Sequence, residues 1–322
     1  MRELRMGSDE QFAADTERYR RELLALCYRM VGSAHDAEDL VQETYLRAWR
    51  SYAGFESRAS IRSWLYKIAT NVCLTALDTR RGRMLPSGLA GPYDGPDRPP
   101  LPAAPGEVSW LEPLPDSWIS SDDPAAVVVA RESVRLALIA SLQLLPPRQR
   151  AVLILREVLA FPATETAEIL GTTTAAVKSA LQRARSALDD VRPDDLLEPT
   201  DERARALLDG YITAFERSDA NLLEQVLRAD ATLEATPFRD WQAGKTRCIH
   251  LLTTHVFGKP GDWRLIPTTA NGQPAAVVHH HGQASGIVVL TATTTGISKV
   301  VEFQDATLVA TFSCPRGGPR SG

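Results

Sequence analysis

Apolar positions recur at three- and four-residue spacing from Arg18 to Arg83, with few glycines, and predict a run of helices. From Pro86 to Pro124 that period is lost. Proline, glycine and aspartate crowd the stretch, as in Pro99-Pro100-Leu101-Pro102, and such a chain neither propagates a helix nor buries much. It reads as a tether, with Trp110, Leu111 and Trp118 as apolar islands able to dock on a neighbouring surface. Helical spacing resumes over Pro124–Asp190 and breaks again at Pro193–Pro199. Beyond Asp201 the texture is mixed. A helix over Arg203–Arg217 and a short one over Leu222–Leu227 precede segments rich in Val, Thr and Ile. These are Ala231–Ala235, Trp263–Asn271, Ala275–His280, Gly286–Thr293 and Ile297–Phe303, and they predict strands. The resulting layout is multidomain. Two all-α helical domains span residues 12–83 and 125–192, joined by an acidic linker over residues 84–124. An α+β domain with a curved antiparallel sheet follows over residues 201–314.

Within the first helical domain, Ser33 with Asp36 three residues on sets a helix start. Asp36, Glu38 and Asp39 fill the first turn, where the helix dipole favours anions. Ala37, Leu40, Val41, Tyr45, Ala48, Trp49 and Tyr52 form one apolar stripe, leaving Asp39, Gln42, Glu43 and Arg47 on an adjacent polar face. In the next helix Ile61, Trp64, Leu65, Ile68 and Val72 point to a core. Arg62, Lys67, Asn71, Arg80, Arg81 and Arg83 stay outside, a set suited to phosphate contact.

The second helical domain carries a sharper signal. A helix begins at Leu144-Leu-Pro-Pro-Arg-Gln-Arg150. After Phe161-Pro162, Ala163–Leu170 reads as a helix, Gly171 as a tight turn and the following residues as a second helix, which is helix-turn-helix anatomy. Val177, Leu181, Ala184 and Leu188 face inward. Lys178, Gln182 and Arg185 share an outer face flanked by Ser179 and Arg183, with Thr172, Thr173 and Thr174 at the end that enters a major groove.

The net charge of −4 argues against nucleic acid until it is resolved along the chain. Residues 15–83 hold 12 basic against 9 acidic side chains, and residues 131–192 hold 9 against 6. Residues 84–130 hold 1 against 7, and residues 193–322 hold 12 against 15. Both helical domains are therefore modestly basic. Cys27, Cys73, Cys248 and Cys314 are scattered without metal-ligand spacing and read as buried reduced thiols of a cytoplasmic protein. No run of 18 apolar residues predicts a membrane helix, and Met1–Gln11 lacks a secretory apolar core. No membrane partner is expected.

Three segments in order carry a resemblance. Asp36-Ala-Glu-Asp-Leu-Val-Gln-Glu-Thr-Tyr-Leu-Arg-Ala-Trp49 resembles the region 2 helix of sigma-70 family factors. Ser63-Trp-Leu-Tyr-Lys-Ile-Ala-Thr-Asn71 is similar to their promoter −10 segment. Leu145-Pro-Pro-Arg-Gln-Arg-Ala-Val-Leu153 with Glu165-Thr-Ala-Glu-Ile-Leu-Gly171 is similar to region 4. Order and spacing resemble the short extracytoplasmic-function (ECF) subfamily. The resemblance implies a non-enzymatic factor that needs no cofactor or metal. Its partners are core RNA polymerase and promoter DNA, and its linker passes near the RNA exit path. It assigns polymerase contact to Asp36, Asp39, Leu40, Gln42, Glu43 and Arg47. The −10 element falls to the neighbourhood of residues 57–63, with Ser60, Arg62, Ser63, Trp64, Lys67, Asn71 and Arg80. The −35 duplex falls to Thr172, Thr173, Thr174, Lys178, Ser179, Gln182, Arg183 and Arg185.

The C-terminal segments Tyr211–Asp219 and Trp263–Ala275 resemble SnoaL-like domains, cones of curved sheet covered by helices, whose relatives include polyketide cyclases and ketosteroid isomerases. That resemblance implies a pocket, a small-molecule ligand as a candidate partner, and a regulatory part for the tail. Asp230, Glu234, Asp240, His255 and Arg264 are candidate pocket groups. His279-His280-His281 lies on a strand, where at most two of the three rings share a face. Two other classes stay open at this point: a helix-turn-helix regulator acting without polymerase, and a tail that is itself an enzyme or a sensor.

Overall fold

The computed structural model describes residues 10–55, 60–79, 82–119, 132–188, 196–198 and 200–313. The expected domain limits near residues 124, 192 and 314 lie outside these. The chain forms two compact units, Met1–Gly82 with Trp118–Val191, and Arg83–Ser117 with Arg192–Gly322.

In the helical unit, α1 (Arg20–Val31), α2 (Ala34–Ser51) and α3 (Ile61–Leu77) pack on one another. Gly32 ends α1 in a left-handed turn (φ 70°), and Ser33 Oγ accepts the Asp36 N–H at 3.0 Å to start α2. Leu23, Leu26, Met30, Val41, Leu65 and Tyr66 fill the core between them. The second group is α4 (Leu136–Leu144), α5 (Pro147–Leu153) with a π-turn over Ile154–Val158, α6 (Ala163–Leu170) and α7 (Thr174–Leu188).

A polar seam joins the two groups. Arg150 of α5 is 2% exposed. Its guanidinium donates to the Met30 carbonyl, to Gln143 Oε1 at 2.7 Å, and to the carbonyls of Gln143 and Leu145 at 3.0 and 3.1 Å. Gln143 Nε2 donates to the Arg29 carbonyl at 3.2 Å, and the Arg29 guanidinium donates to the Ser133 carbonyl at 3.1 Å and to its hydroxyl. The Arg29 and Met30 carbonyls belong to the last turn of α1, which has no further helical N–H to accept. Arg150 and Gln143 supply donors there, and the cation meets the negative end of the helix dipole. Burial pushes both guanidiniums down to about 10, so both remain cationic at neutral pH.

The C-terminal unit runs α8 (Glu202–Arg217), α9 (Ala220–Val226), β1 (Leu227–Thr236), β2 (Trp241–Ala243) and α10 (Lys245–Leu251), which passes into a π-turn over Leu252–Val256. Then come β3 (Trp263–Ala270), β4 (Gln273–His280), β5 (Gln283–Thr293), β6 (Gly296–Phe303) and α11 (Ala306–Ser313). The sheet order is β2-β1-β6-β5-β4-β3. Its pairs are antiparallel except β1 with β6, which is parallel. The expected antiparallel sheet is thus present, with one parallel pair added. The chain leaves β1, builds the β3–β5 meander and returns beside β1 through a long crossover, which permits the same direction. Register shifts at Val278/His279 and Thr291/Ala292 bend the strands. Leu207, Tyr211, Phe215, Leu233, Trp263 and Leu290 form the core under the helices. Phe215 meets Phe257 and Trp263 edge-on at 5.2 and 5.7 Å. Gly286 is required by close approach, since a Cβ there would stand 2.0 Å from the Phe303 carbonyl oxygen.

Residues 83–117 pack into this unit, in place of the unfolded tether expected from their composition. Leu85, Leu111 and Leu114 are buried. The Ser87 N–H donates to Glu234 Oε2 at 2.8 Å and the Tyr93 N–H to the Trp241 carbonyl at 2.8 Å. The Leu114 N–H donates to Asn271 Oδ1, and the Asn271 N–H to the Leu114 carbonyl, both at 2.9 Å. The Gly272 N–H donates to Asp116 Oδ1 at 2.8 Å. Besides a 3-10 turn over Pro86–Gly88 and a bridge between Met84 and Trp110, the segment takes hydrogen-bond partners from strand ends and the β3–β4 turn.

Replacing Arg150 with Ala should lower the unfolding free energy by about 3 kcal/mol in a denaturant titration, because it strands several buried carbonyls. A loss below about 1 kcal/mol would show that the seam does not hold the helix groups together.

Candidate polymerase and promoter surfaces

The capped start of α2 fixes which face it presents. Asp39, Gln42 and Arg47 are exposed, and Asp36 and Glu43 are half-buried. Arg47 Nε lies 2.6 Å from Glu43 Oε1, an i,i+4 pair. Leu40 is 9% exposed and turns toward the core, which removes it from the outer set. Glu38 is buried and paired with Arg20. Trp49, assigned from its spacing to the inward stripe, is 52% exposed, because Ala48 takes the inward place. Leu46, not singled out in the sequence, is 50% exposed beside it. Its signal was an apolar residue off the stripe in a charged stretch.

Ser60 Oγ accepts the Ser63 N–H at 3.1 Å and starts α3. Ser63 Oγ in turn donates to Glu165 of α6. Arg62, expected outside, is half-buried. Its guanidinium lies over the rings of Tyr66 and Phe161, 4.9 and 4.7 Å from their centroids, and its Nε reaches Glu22 at 3.2 Å. Trp64 is half-buried against Phe55 at 4.9 Å. Lys67 and Asn71 are exposed. Arg83 is half-buried and paired with Glu112 at 3.2 Å. Arg80, Arg81 and residues 57–59 lie outside the described residues. Arg62 and Ser63, two −10 candidates, are therefore covered by residues of the second helix group.

At the helix-turn-helix, Gly171 adopts φ 59°, a left-handed turn that glycine allows without strain. Thr173 Oγ1 accepts the Ala176 N–H at 3.2 Å and caps α7. Val177 and Ala184 anchor α7 in the core, while Leu181 and Leu188 are half-buried. Thr172, Thr173, Thr174, Lys178, Ser179, Gln182, Arg183 and Arg185 are all exposed. Arg183 donates to Ser179 Oγ at 2.6 Å, and Arg185 Nε to Glu157 Oε1 at 2.8 Å, which holds Arg185 toward the preceding π-turn.

The candidate pocket groups of the tail do not converge. Asp230 is exposed and pairs with Arg228 at 2.7 Å, and Arg264 is exposed. Glu234 is fully buried, 2.6 Å from Lys299 Nζ. Glu234, Asp240 and His255 are each engaged by the linker, through the Ser87 N–H, Arg98 and Asp97. The His280 ring stacks on Trp263 at 4.1 Å, and His281 stands at the following turn. Among the described residues no three His, Cys, Asp or Glu side chains are arranged to hold a metal ion. Cys27, Cys73 and Cys248 are buried free thiols, and Cys314 lies outside the described residues.

The Sigma-70 region 2 family model matches residues 16–83, and the Sigma-70, region 4 model matches residues 135–188. The ECF RNA polymerase sigma factor SigG of Mycobacterium tuberculosis (strain ATCC 25618 / H37Rv) is 49% identical over 312 residues, covering 94% of this chain and 84% of SigG. The chain belongs to the ECF RNA polymerase sigma factor family. As a sigma factor it works with core RNA polymerase at promoters and is not itself an enzyme. Region 2 is built from α1–α3 and region 4 from α4–α7. The probable ECF sigma factor SigI of the same organism is 29% identical, covering 69% of each chain. The crystal structure of Mycobacterium tuberculosis SigJ shares the fold, with a TM-score of 0.62, 24% identity, and coverage of 91% of this chain and 96% of that one. No helix among the described residues is long and apolar enough to cross a membrane.

In this sigma factor Thr173→Ala should cost about 1 kcal/mol of stability through the lost cap of α7, whereas Thr172→Ala should cost almost nothing. Equal thermal shifts for the two would show that Thr173 does not set the start of α7.

Proposed function

We propose that the factor grips core RNA polymerase through the outer face of α2, with Asp36, Asp39, Gln42, Glu43 and Arg47 joined by the exposed Leu46 and Trp49. An exposed tryptophan with charged neighbours is a common anchor of an interface. Ser60, Arg62, Ser63, Trp64, Lys67, Asn71 and Arg80 serve the −10 element. Thr172, Thr173, Thr174, Lys178, Ser179, Gln182 and Arg183 serve the −35 duplex, with Arg185 entering once it leaves Glu157. Residues 12–83 and 125–192 act as the two recognition domains, joined by the linker over residues 84–124, and residues 201–314 as a regulatory domain, in the cytoplasm.

The observation that carries this reading is the wholly exposed polar face of α7, held on a core that Val177 and Ala184 anchor. Elements at −10 and −35 lie on the order of 80 Å apart at 3.4 Å per base pair. A compact unit of this chain length is only about 40 Å across. The seam at Arg150 and the cover over Arg62 and Ser63 therefore belong to a closed state, and the two recognition domains part when they engage a promoter. The linker supplies the reach, since residues 83–117 extended would span on the order of 100 Å. While docked on the C-terminal domain they supply far less, which gives that domain control. A small molecule binding the tail has to displace the linker from Glu234 or Asp240.

Run-off transcription with core polymerase should give a promoter-dependent product. Lys178→Ala and Arg183→Ala should each weaken −35 binding, by about 1–3 kcal/mol where a base contact is lost. Full binding by both variants would put the groove-facing side elsewhere. Asn271→Gly keeps the left-handed backbone but deletes the acceptor of the Leu114 N–H, and should change transcript yield; an unchanged yield would remove control through the linker.

A further inference from the structure

Asp97 of the docked linker lies between two histidines of the C-terminal domain. Its Oδ1 is 2.9 Å from His255 Nε2, and its Oδ2 is 3.1 Å from His250 Nε2. The histidines are five positions apart, a spacing that on an α-helix turns two side chains roughly 140° away from each other. Here α10 widens into the π-turn over Leu252–Val256, whose i→i+5 period brings both rings to one side. A π-turn is a costly local geometry, and this one does something specific: it aims two imidazoles at one carboxylate. The His255 side chain is 15% exposed, while those of His250 and Asp97 are 58% and 52% exposed. A groove of about 210 Å³ lined by Tyr93, Asp97, Arg98, Gln242, Arg247 and His250 opens beside them, so protons reach the cluster from solvent.

The neighbouring charged side chains are already engaged. Arg98 pairs with Asp240 at 2.8 Å and lies over the Tyr93 ring at 4.4 Å, and Arg247 of α10 donates to the Tyr93 carbonyl at 2.6 Å. Hydrogen bonds from His255, then from His250, hold the Asp97 carboxyl below its usual range, so it stays an anion. Of the side-chain types in the cluster, imidazole is the one whose unperturbed charge change falls between about pH 5 and pH 8.

We propose that Asp97, His250 and His255 form a proton-operated clasp, in which protonation of the imidazoles tightens the hold of the C-terminal domain on the linker and deprotonation loosens it. Protonation turns the two hydrogen bonds onto this carboxylate into two ion pairs, adding a Coulomb attraction to each bond already made. The hold is therefore greatest at the acid end and falls as pH rises through the imidazole titration. This rests on the reading that the tail controls the linker, and its test observes the linker itself and not transcription.

In full-length protein, amide hydrogen exchange of peptides covering residues 90–103 should be compared at about pH 6 and about pH 8, with labelling times scaled for the intrinsic pH dependence. Protection should be roughly three- to tenfold greater at the lower pH, the range two exposed ion pairs supply. The H250Q/H255Q double variant should lose that difference while α8 peptides stay protected, and Asp97→Asn should bring protection at the lower pH down to its level at the higher. Equal wild-type protection at both pH values, or a difference that survives in the double variant, overturns the clasp. Either result alongside an altered transcript yield in Asn271→Gly would remove the clasp and leave the regulatory reading standing.

Discussion

The closed helical unit depends on one buried cation meeting the end of one helix. α1 finishes with carbonyls that no helical N–H can satisfy, and Arg150, from the far side of the chain, donates to one of them while also bonding Gln143 and Leu145. A guanidinium suits this place because its donors are fixed in a fork and its charge matches the helix dipole. Burying it is costly, and the hydrogen bonds from its two terminal nitrogens offset that cost, while its Nε has no partner among the described residues. That makes the seam specific and also breakable. Such a contact is consistent with the proposal that the two helix groups part on a promoter.

The second constraint is where the linker goes. Its prolines withhold backbone donors and its acidic side chains seek cations, and the C-terminal domain answers both. Asn271, in a left-handed turn, exchanges two backbone-directed hydrogen bonds with Leu114. Glu234, Asp240, His250 and His255 hold the segment from Ser87 to Asp97 and Arg98. Glu234, Asp240 and His255, three of the candidate pocket groups, are occupied by the protein's own chain. The C-terminal domain is thus the surface on which the linker packs.

Much of this was legible in the sequence, for identifiable reasons. The stripe through Ala37, Val41 and Ala48 and the Gly171 turn follow from helical period and from glycine's tolerance of positive φ, both local properties. The exposed face of α7 follows from the same spacing. What was not legible depends on partners distant in the chain. Arg62 looked solvent-facing because nothing local reveals that Phe161 lies across it. Trp49 looked buried because spacing alone does not say which of Ala48 and Trp49 turns inward. The linker looked unfolded because composition records what a segment lacks, and the strands that complete it lie more than a hundred positions away. The parallel pairing of β1 with β6 is likewise a property of the crossover and not of either strand.

The claim on which the rest turns is that the two recognition domains are held together in the free factor and part at the promoter. The direct measurement is the distance between spin labels on Thr75→Cys and Glu168→Cys, at exposed positions of α3 and α6, by pulsed electron resonance. The free protein should give one short distance, and addition of core polymerase with promoter DNA should replace it with a longer one. A distance that stays short in the transcribing complex would contradict the claim.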